Sequence, residues 1–399
     1  MNGARVCTRR GILAGASALA ATPVFAQVTA WQRPGVVVPG TVIQALEGIE
    51  FGPDGTLYGT SVHAQAVYRI DVTTGAVGVE VPSPSGESDD VAVGPAATPA
   101  DGVLAWTAQT TGEVRIRKRG GPVEVILPNA PRVNPIAFNR QGRLFTAQSG
   151  AGDNELWELD VTGVRPPKIV KRGMRLNGFG FGSDGRLYAP HFGTSRLVAI
   201  DIDSGDHAVI ADDVGSPGAA KVDGNGNVIS ADYKTGEIWK TDPDANTSRI
   251  VARVREPVDN LAIASDGTVY LSNVADSAIY ALNAETGVWR TVVPGWFTVP
   301  LGMATATLEG RAMLLVADPF GFRYVDPVTG EVFRPHWANN RGASSSVAMA
   351  GNKIAYAYGP SGRVRILDRA TDTLTADVTD IKSPRGLAMA GNMLVLTAR

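Results

Sequence analysis

Cysteine occurs once in the 399 residues, as Cys7, and histidine four times. That scarcity excludes a disulfide framework, a thiol nucleophile and a metal held by cysteines or several histidines. No Gly-X-Ser-X-Gly elbow is present, so a serine-hydrolase triad has no anchor in the chain. Basic runs are also scarce, with 37 Lys and Arg against 39 Asp and Glu and a formal net charge of −2. The densest basic segment, Arg115-Ile116-Arg117-Lys118-Arg119, alternates like a solvated outer strand, and a nucleic-acid partner is not expected. No apolar stretch reaches the ~20 residues that span a bilayer, so no membrane anchor is expected in the mature form.

The first 26 residues carry Arg5, Arg9 and Arg10 without an acid, followed by a mildly apolar stretch from Ile12 to Ala21. They read as a signal peptide. Thr8-Arg9-Arg10-Gly11-Ile12-Leu13 resembles the twin-arginine export motif, and Val24-Phe25-Ala26 offers small residues for cleavage before Gln27. A periplasmic or secreted protein is therefore expected, without its only cysteine. Its net charge would be −5, from 34 Lys and Arg against 39 acids.

What the chain has in quantity is repetition. About every 42 residues a short apolar strand runs into a Gly turn, a second strand ends in a polar residue, and a hairpin follows. Gly48-Ile49-Glu50-Phe51 with Pro53-Asp54-Gly55, Gly178-Phe179-Gly180-Phe181 with Ser183-Asp184-Gly185, and Leu261-Ala262-Ile263 with Ser265-Asp266-Gly267 are the clearest copies. Asp-Gly turns suit tight antiparallel connections, which need residues tolerant of positive φ. The expectation is an all-β fold: a single β-propeller domain over 27–399, with four-stranded blades, eight or nine in number. Val28-Thr29-Ala30-Trp31 and Val36-Val37-Val38 are expected to complete a blade with the half repeat that closes the chain.

In a propeller the inner strand starts at the rim where the second strand ends. Those two positions therefore form polar rings around one channel mouth. Glu47, Asp89, Asp90, Asn134, Asn177, Asp259 and Asn260 fall at inner-strand starts. Ser61, Gln109, Gln148, His191, Asp232, Asn273, Asp318 and Tyr358 fall at second-strand ends. Any one of these polar residues is explained by local turn amides. As a set, Glu47, Asn134, Asn177 and Asp259 are two carboxylates and two amide oxygens, hard ligands that suit Ca²⁺ and, less well, Mg²⁺. A ring wider than six blades would hold them further apart. His191 is the one imidazole on a ring and a candidate base. Arg132, Arg175, Asp232, Asn273, Trp296 and Trp337 are candidate substrate contacts, pairing guanidinium forks with flat apolar surfaces near the mouth.

Glu47-Gly48-Ile49-Glu50-Phe51, Arg132-Val133-Asn134, Asn177-Gly178-Phe179 and Val258-Asp259-Asn260-Leu261-Ala262 are similar to signature segments of the senescence-marker-protein, gluconolactonase and luciferin-regenerating-enzyme-like superfamily. The resemblance covers roughly residues 47 to 290. It implies a metal site of Glu47, Asn134, Asn177 and Asp259, with Asp259 doubling as base or nucleophile and Arg132 touching substrate oxygens. It also implies hydrolysis of lactones or phosphotriesters. The resulting expectation is an exported, metal-dependent hydrolase of a small organic lactone or ester. Two other readings stand beside it: a non-catalytic propeller that binds a ligand or protein, and a metal-dependent lyase on a cyclic ester.

Overall fold

The computed structural model describes residues 36–150, 152–334, 343–391 and 393–398. The signal segment, Val28–Trp31 and Trp337 lie outside the described residues. Strands dominate, apart from a 3₁₀ turn at Gly359–Ser361. No helix among the described residues is long and apolar enough to cross a membrane.

The strands form eight four-stranded antiparallel sheets and one two-stranded sheet, each a simple meander in chain order. The expected eight or nine blades are met as sheets. The described residues fall into two compact units, one over 41–296 and one over 36–40 with those from 297 onward.

In the first unit, six sheets close on themselves. Blades 1 to 6 span residues 49–81, 91–127, 133–171, 180–211, 217–253 and 258–293. Each inner strand packs against the next, and that of blade 6 (Val258–Ile263) returns to that of blade 1 (Ile49–Phe51). The seam is sealed by apolar packing, since Ile43, Leu46, Ile49 and Leu57 share a core with Ala262, Tyr270, Ile279 and Val293. Burial falls from the second strand to the fourth. Val269–Asn273 of blade 6 is buried throughout, whereas Thr247–Arg253 of blade 5 is largely exposed. Arg115 and Arg117 sit on the third strand of blade 2 and pair with Glu113 and Glu80, as a solvated strand should.

Close blade contact requires glycine beside the ring residues. A Cβ on Gly48 would lie 2.6 Å from the Asp90 Cα, and one on Gly178 would lie 2.6 Å from the Ala219 Cβ.

In the second unit, four-stranded sheets over 303–333 and 346–378 pack around Leu315, Tyr324, Val347, Tyr356 and Leu367. The pair Leu387–Ala390 and Met393–Leu396 completes it. Val36–Val38 is described as a bend rather than a strand, with the Val37 carbonyl only 2.4 Å from where a Gly330 Cβ would stand. Asp318 and Arg323, both fully buried, face each other at 3.5 Å.

Candidate functional site

The second strands end where the repeat pattern places them. Ser61, Gln148, His191, Asp232, Asn273, Asp318 and Tyr358 are the last residues of their strands, and Gln109 follows the strand ending at Ala108. At the same rim of the six-bladed unit the inner strands break register. The ladder of blade 3 jumps between the pairs Gln148–Val133 and Thr146–Ile136, which frees Asn134. That of blade 6 jumps between Val258–Asn273 and Leu271–Leu261, which frees Asp259. In blade 4, Asn177 lies between the isolated bridge Leu176–His191 and the ladder pair Gly180–Tyr188. Such irregularities lift side chains out of the sheet and aim them elsewhere.

Hydroxyls on the second strands fix the freed backbone. The Thr60 hydroxyl donates to the Asp89 carbonyl at 2.6 Å, Thr107 to that of Asn134 at 2.7 Å, and Ser272 to that of Glu47 at 2.5 Å. Each bond ties one blade to the ring residue of the next, and the Ser272 bond spans the closure from blade 6 to blade 1. Sequence reasoning missed these residues, although a Thr or Ser one position before the strand end recurs in blades 1, 2 and 6.

A cavity of about 530 Å³ opens at this rim, and Arg132, Asn134, Asn177, Tyr233, Lys234 and Asp259 are among its walls. Three of the four ligand candidates thus meet in one space. The fourth, Glu47, is buried beside them, its Oε2 accepting the Val62 amide at 2.6 Å. Among the described residues, the side-chain oxygens of Asn134, Asn177 and Asp259 take no hydrogen bond from the protein. No group of three His, Cys, Asp or Glu residues among the described residues is placed to hold an ion by itself, so the amides would have to complete a coordination set.

The electrostatics express the crowding. Burial and then the Asp90 carboxylate push Asp259 up to about 7. Glu47 is held well above the usual carboxylate range by burial, then by Asp89 and Asp259. Asp89 is raised likewise by burial, Asp259, Asp90 and Glu87, with Arg132 opposing. Tyr233, also unremarked in the sequence, has its phenol raised by burial and by Asp259, Glu47 and Asp89, and so stays protonated. Glu87 is buried, with Oε1 accepting the Thr110 amide at 3.1 Å and Oε2 without a partner.

The remaining candidates are placed differently. Asp232 accepts the amides of Ser216, Lys234 and Thr235 at 2.8, 2.7 and 3.0 Å, so both oxygens close turns. Asn273 donates to the Arg255 carbonyl at 2.8 Å and accepts the Asp276 amide at 2.8 Å. These two do what short polar side chains at strand ends commonly do, and neither lines the cavity. His191 does not line it either, although Phe192 and Gly193 do. Its imidazole is kept more acidic than usual by burial and by Arg196, His207 and Arg175. Arg175 stacks on the Phe192 ring at 5.1 Å. Trp296 is half-buried at the end of the six-bladed unit, outside the cavity wall.

No protein-family model matches the chain, and no curated protein matches it in sequence. Solved structures that resemble it include a provisionally named gluconolactonase, with a TM-score of 0.50 at 15% identity, covering 64% of this chain and 92% of that one. A gluconolactonase from Xanthomonas campestris matches with a TM-score of 0.49 at 16% identity, over 60% of this chain and 85% of that one. Virginiamycin B lyase from Staphylococcus aureus matches with a TM-score of 0.49 at 13% identity, over 69% and 92%. At such identities the likeness is one of fold, a β-propeller, and reaches no further.

Proposed function

We propose that this protein is an exported hydrolase of a lactone or ester, working at the mouth of the six-bladed unit with a divalent cation, Ca²⁺ or Mg²⁺, held by Glu47, Asn134, Asn177 and Asp259. One observation carries the reading. Asp259 is a half-buried carboxylate that receives no hydrogen bond among the described residues, and it faces a cavity shared with two equally unengaged amide side chains. A carboxylate so placed is costly unless something positive joins it. The donor set is all hard oxygen, which fits such a cation.

When bound, the cation would polarise the substrate carbonyl and acidify a water. Asp259 accepts a proton from an attacking water as the water oxygen bonds to the carbonyl carbon. The bond from that carbon to the ring or ester oxygen then breaks, and the proton passes to the departing oxygen. Tyr233, held protonated by the surrounding acids, donates a hydrogen bond to the oxygen that gains charge. Phe192 and Gly193 wall the cavity.

Metal analysis of the purified protein, with lactone turnover before and after chelation and readdition, tests this. Stoichiometric Ca²⁺ or Mg²⁺ with turnover that returns on readdition is expected. A protein that holds no divalent ion, whose melting temperature ignores added Ca²⁺ and Mg²⁺ and which turns over no lactone or ester, would instead be a binding platform.

A further inference from the structure

The charges at the mouth are sorted by side. Acids come from three consecutive blades: Asp259 from blade 6, Glu47 from blade 1, and Glu87 and Asp89 leading into blade 2. Cations come from the other three: Arg132 leads into blade 3, Arg175 into blade 4, and Lys234 follows the second strand of blade 5. In a closed ring of six these are opposite halves.

The cations of the second half are unengaged. Among the described residues none of the three makes an ion pair or a side-chain hydrogen bond, and the Arg175 Nε is buried without an acceptor. Arg255, which leads into blade 6 at the corresponding place, pairs with Asp276 at 3.3 Å. Most arginines on the outer strands are paired too, such as Arg196 with Asp212 at 2.6 Å and Arg363 with Asp377 at 2.6 Å. The site also makes room for the guanidinium of Arg175. A Cβ on Gly150 would lie 2.8 Å from its Nη2, so a side chain there would press on the fork. Phe192 lies flat against it while also walling the cavity.

We propose that the substrate of this site is anionic: a lactone or ester bearing a carboxylate, which docks on Arg132 and Lys234 in the cavity wall and on Arg175, which stands against Phe192 just outside that wall, while its carbonyl reaches the acidic half. The inference rests on the hydrolase reading and names its substrate class. A guanidinium fork stacked on an aromatic face and lacking an acceptor matches a planar carboxylate in geometry and charge. A cavity of about 530 Å³ holds a small molecule long enough to touch both halves.

The test measures binding by calorimetry at low salt, with glutarate and its neutral isostere glutaramide as probes. Glutarate is expected to bind at least about tenfold more tightly than glutaramide. That preference should weaken with added salt and collapse in Arg175→Gln and in Lys234→Gln. Lys234 is exposed, so its variant should fold normally. Arg196→Gln, on the outer side of blade 4, should retain the preference. Equal binding of the two probes, or a preference that survives both variants, overturns the proposal. Because binding is read without turnover, the two readings fail separately. Lactone hydrolysis with no preference for glutarate sinks only the anionic substrate, whereas a preference for glutarate with no hydrolysis of any lactone sinks the hydrolase.

Discussion

The six inner strands of residues 41–296 carry polar side chains at the mouth and again further along the channel, and the two places treat them oppositely. Inside the channel, the Lys221 ammonium meets the Glu50 carboxylate at 2.9 Å, joining blade 5 to blade 1. Asp90 accepts from the Asn260 amide group at 3.1 Å and from the Ile136 backbone at 3.2 Å, joining blades 2, 6 and 3. At the mouth, the side-chain oxygens of Asn134, Asn177 and Asp259 accept nothing from the described residues. The interior network crosses the channel and closes it, leaving a separate cavity of about 280 Å³ at its other end, lined by Glu50, Lys221, Phe181 and Ile263. Polarity alone therefore does not mark the site. What marks it is polarity left without partners in the protein, which a ligand or the water it displaces would supply.

Two substitutions would break this comparison most visibly. Asp259→Asn removes the proton acceptor and one ligand, so lactone turnover should fall by about 10²- to 10⁴-fold, and added divalent cation should no longer raise the melting temperature. The fold should persist, because the variant also removes a half-buried carboxylate that receives no donor. Unchanged turnover would put Asp259 outside the chemistry. Lys221→Met should do the reverse. It leaves Glu50 and Asp90 without their positive neighbour and should cost roughly 3 kcal/mol in a denaturant titration, whereas Lys234→Met at the mouth should change stability by less than about 0.5 kcal/mol. Equal costs at the two lysines would mean that the interior pair contributes nothing special.

Much of this was legible in the sequence, because the repeat places strand ends almost residue by residue. Asp232, Asn273 and Asp259 nevertheless look alike as short polar residues at a rim. Their difference lies in how many backbone amides stand nearby, three for Asp232 and none for Asp259. A linear pattern does not carry that count. The closure of six blades within the nine sheets was equally hidden, because the period reports how many repeats there are and not which inner strands meet. The return of blade 6 to blade 1 answers the concern that a wider ring would part the ligands. The hydroxyl ties were visible in principle, at Thr60, Thr107 and Ser272, but each reads as an ordinary β-strand residue until its acceptor in the next blade is known.

Those ties allow a finer version of the comparison. Ser272 accepts the Asn260 amide at 2.9 Å and donates to the Glu47 carbonyl, whereas the Ser230 hydroxyl in blade 5 is buried without a partner. Ser272→Ala should therefore destabilise by about 1–2 kcal/mol and weaken cation affinity by loosening Glu47, while Ser230→Ala should be neutral or slightly stabilising. Matching losses in the two variants would show that the hydroxyl acts by filling space rather than by bonding the neighbouring blade.

A dependence on pH is also expected, and its sign separates the mouth from an ordinary set of paired acids. Asp259 has a folded pKa of about 7 against an ordinary value near 4, so between those values the native state binds the extra proton. Its contribution to stability is then complete below about pH 4 and is lost as the pH rises through about 7. Paired surface acids such as Asp377, held below their usual range by Arg363, act in the opposite direction and only at lower pH. In chelator, the wild-type protein should lose more stability than Asp259→Asn between pH 5 and pH 8. Divalent cation, which joins the deprotonated form, should stabilise the wild type more at pH 8 than at pH 5. If the two proteins traced parallel curves, the Asp259 carboxylate would have to be solvated or hydrogen-bonded after all, and the contrast between an engaged interior and an unengaged mouth would disappear.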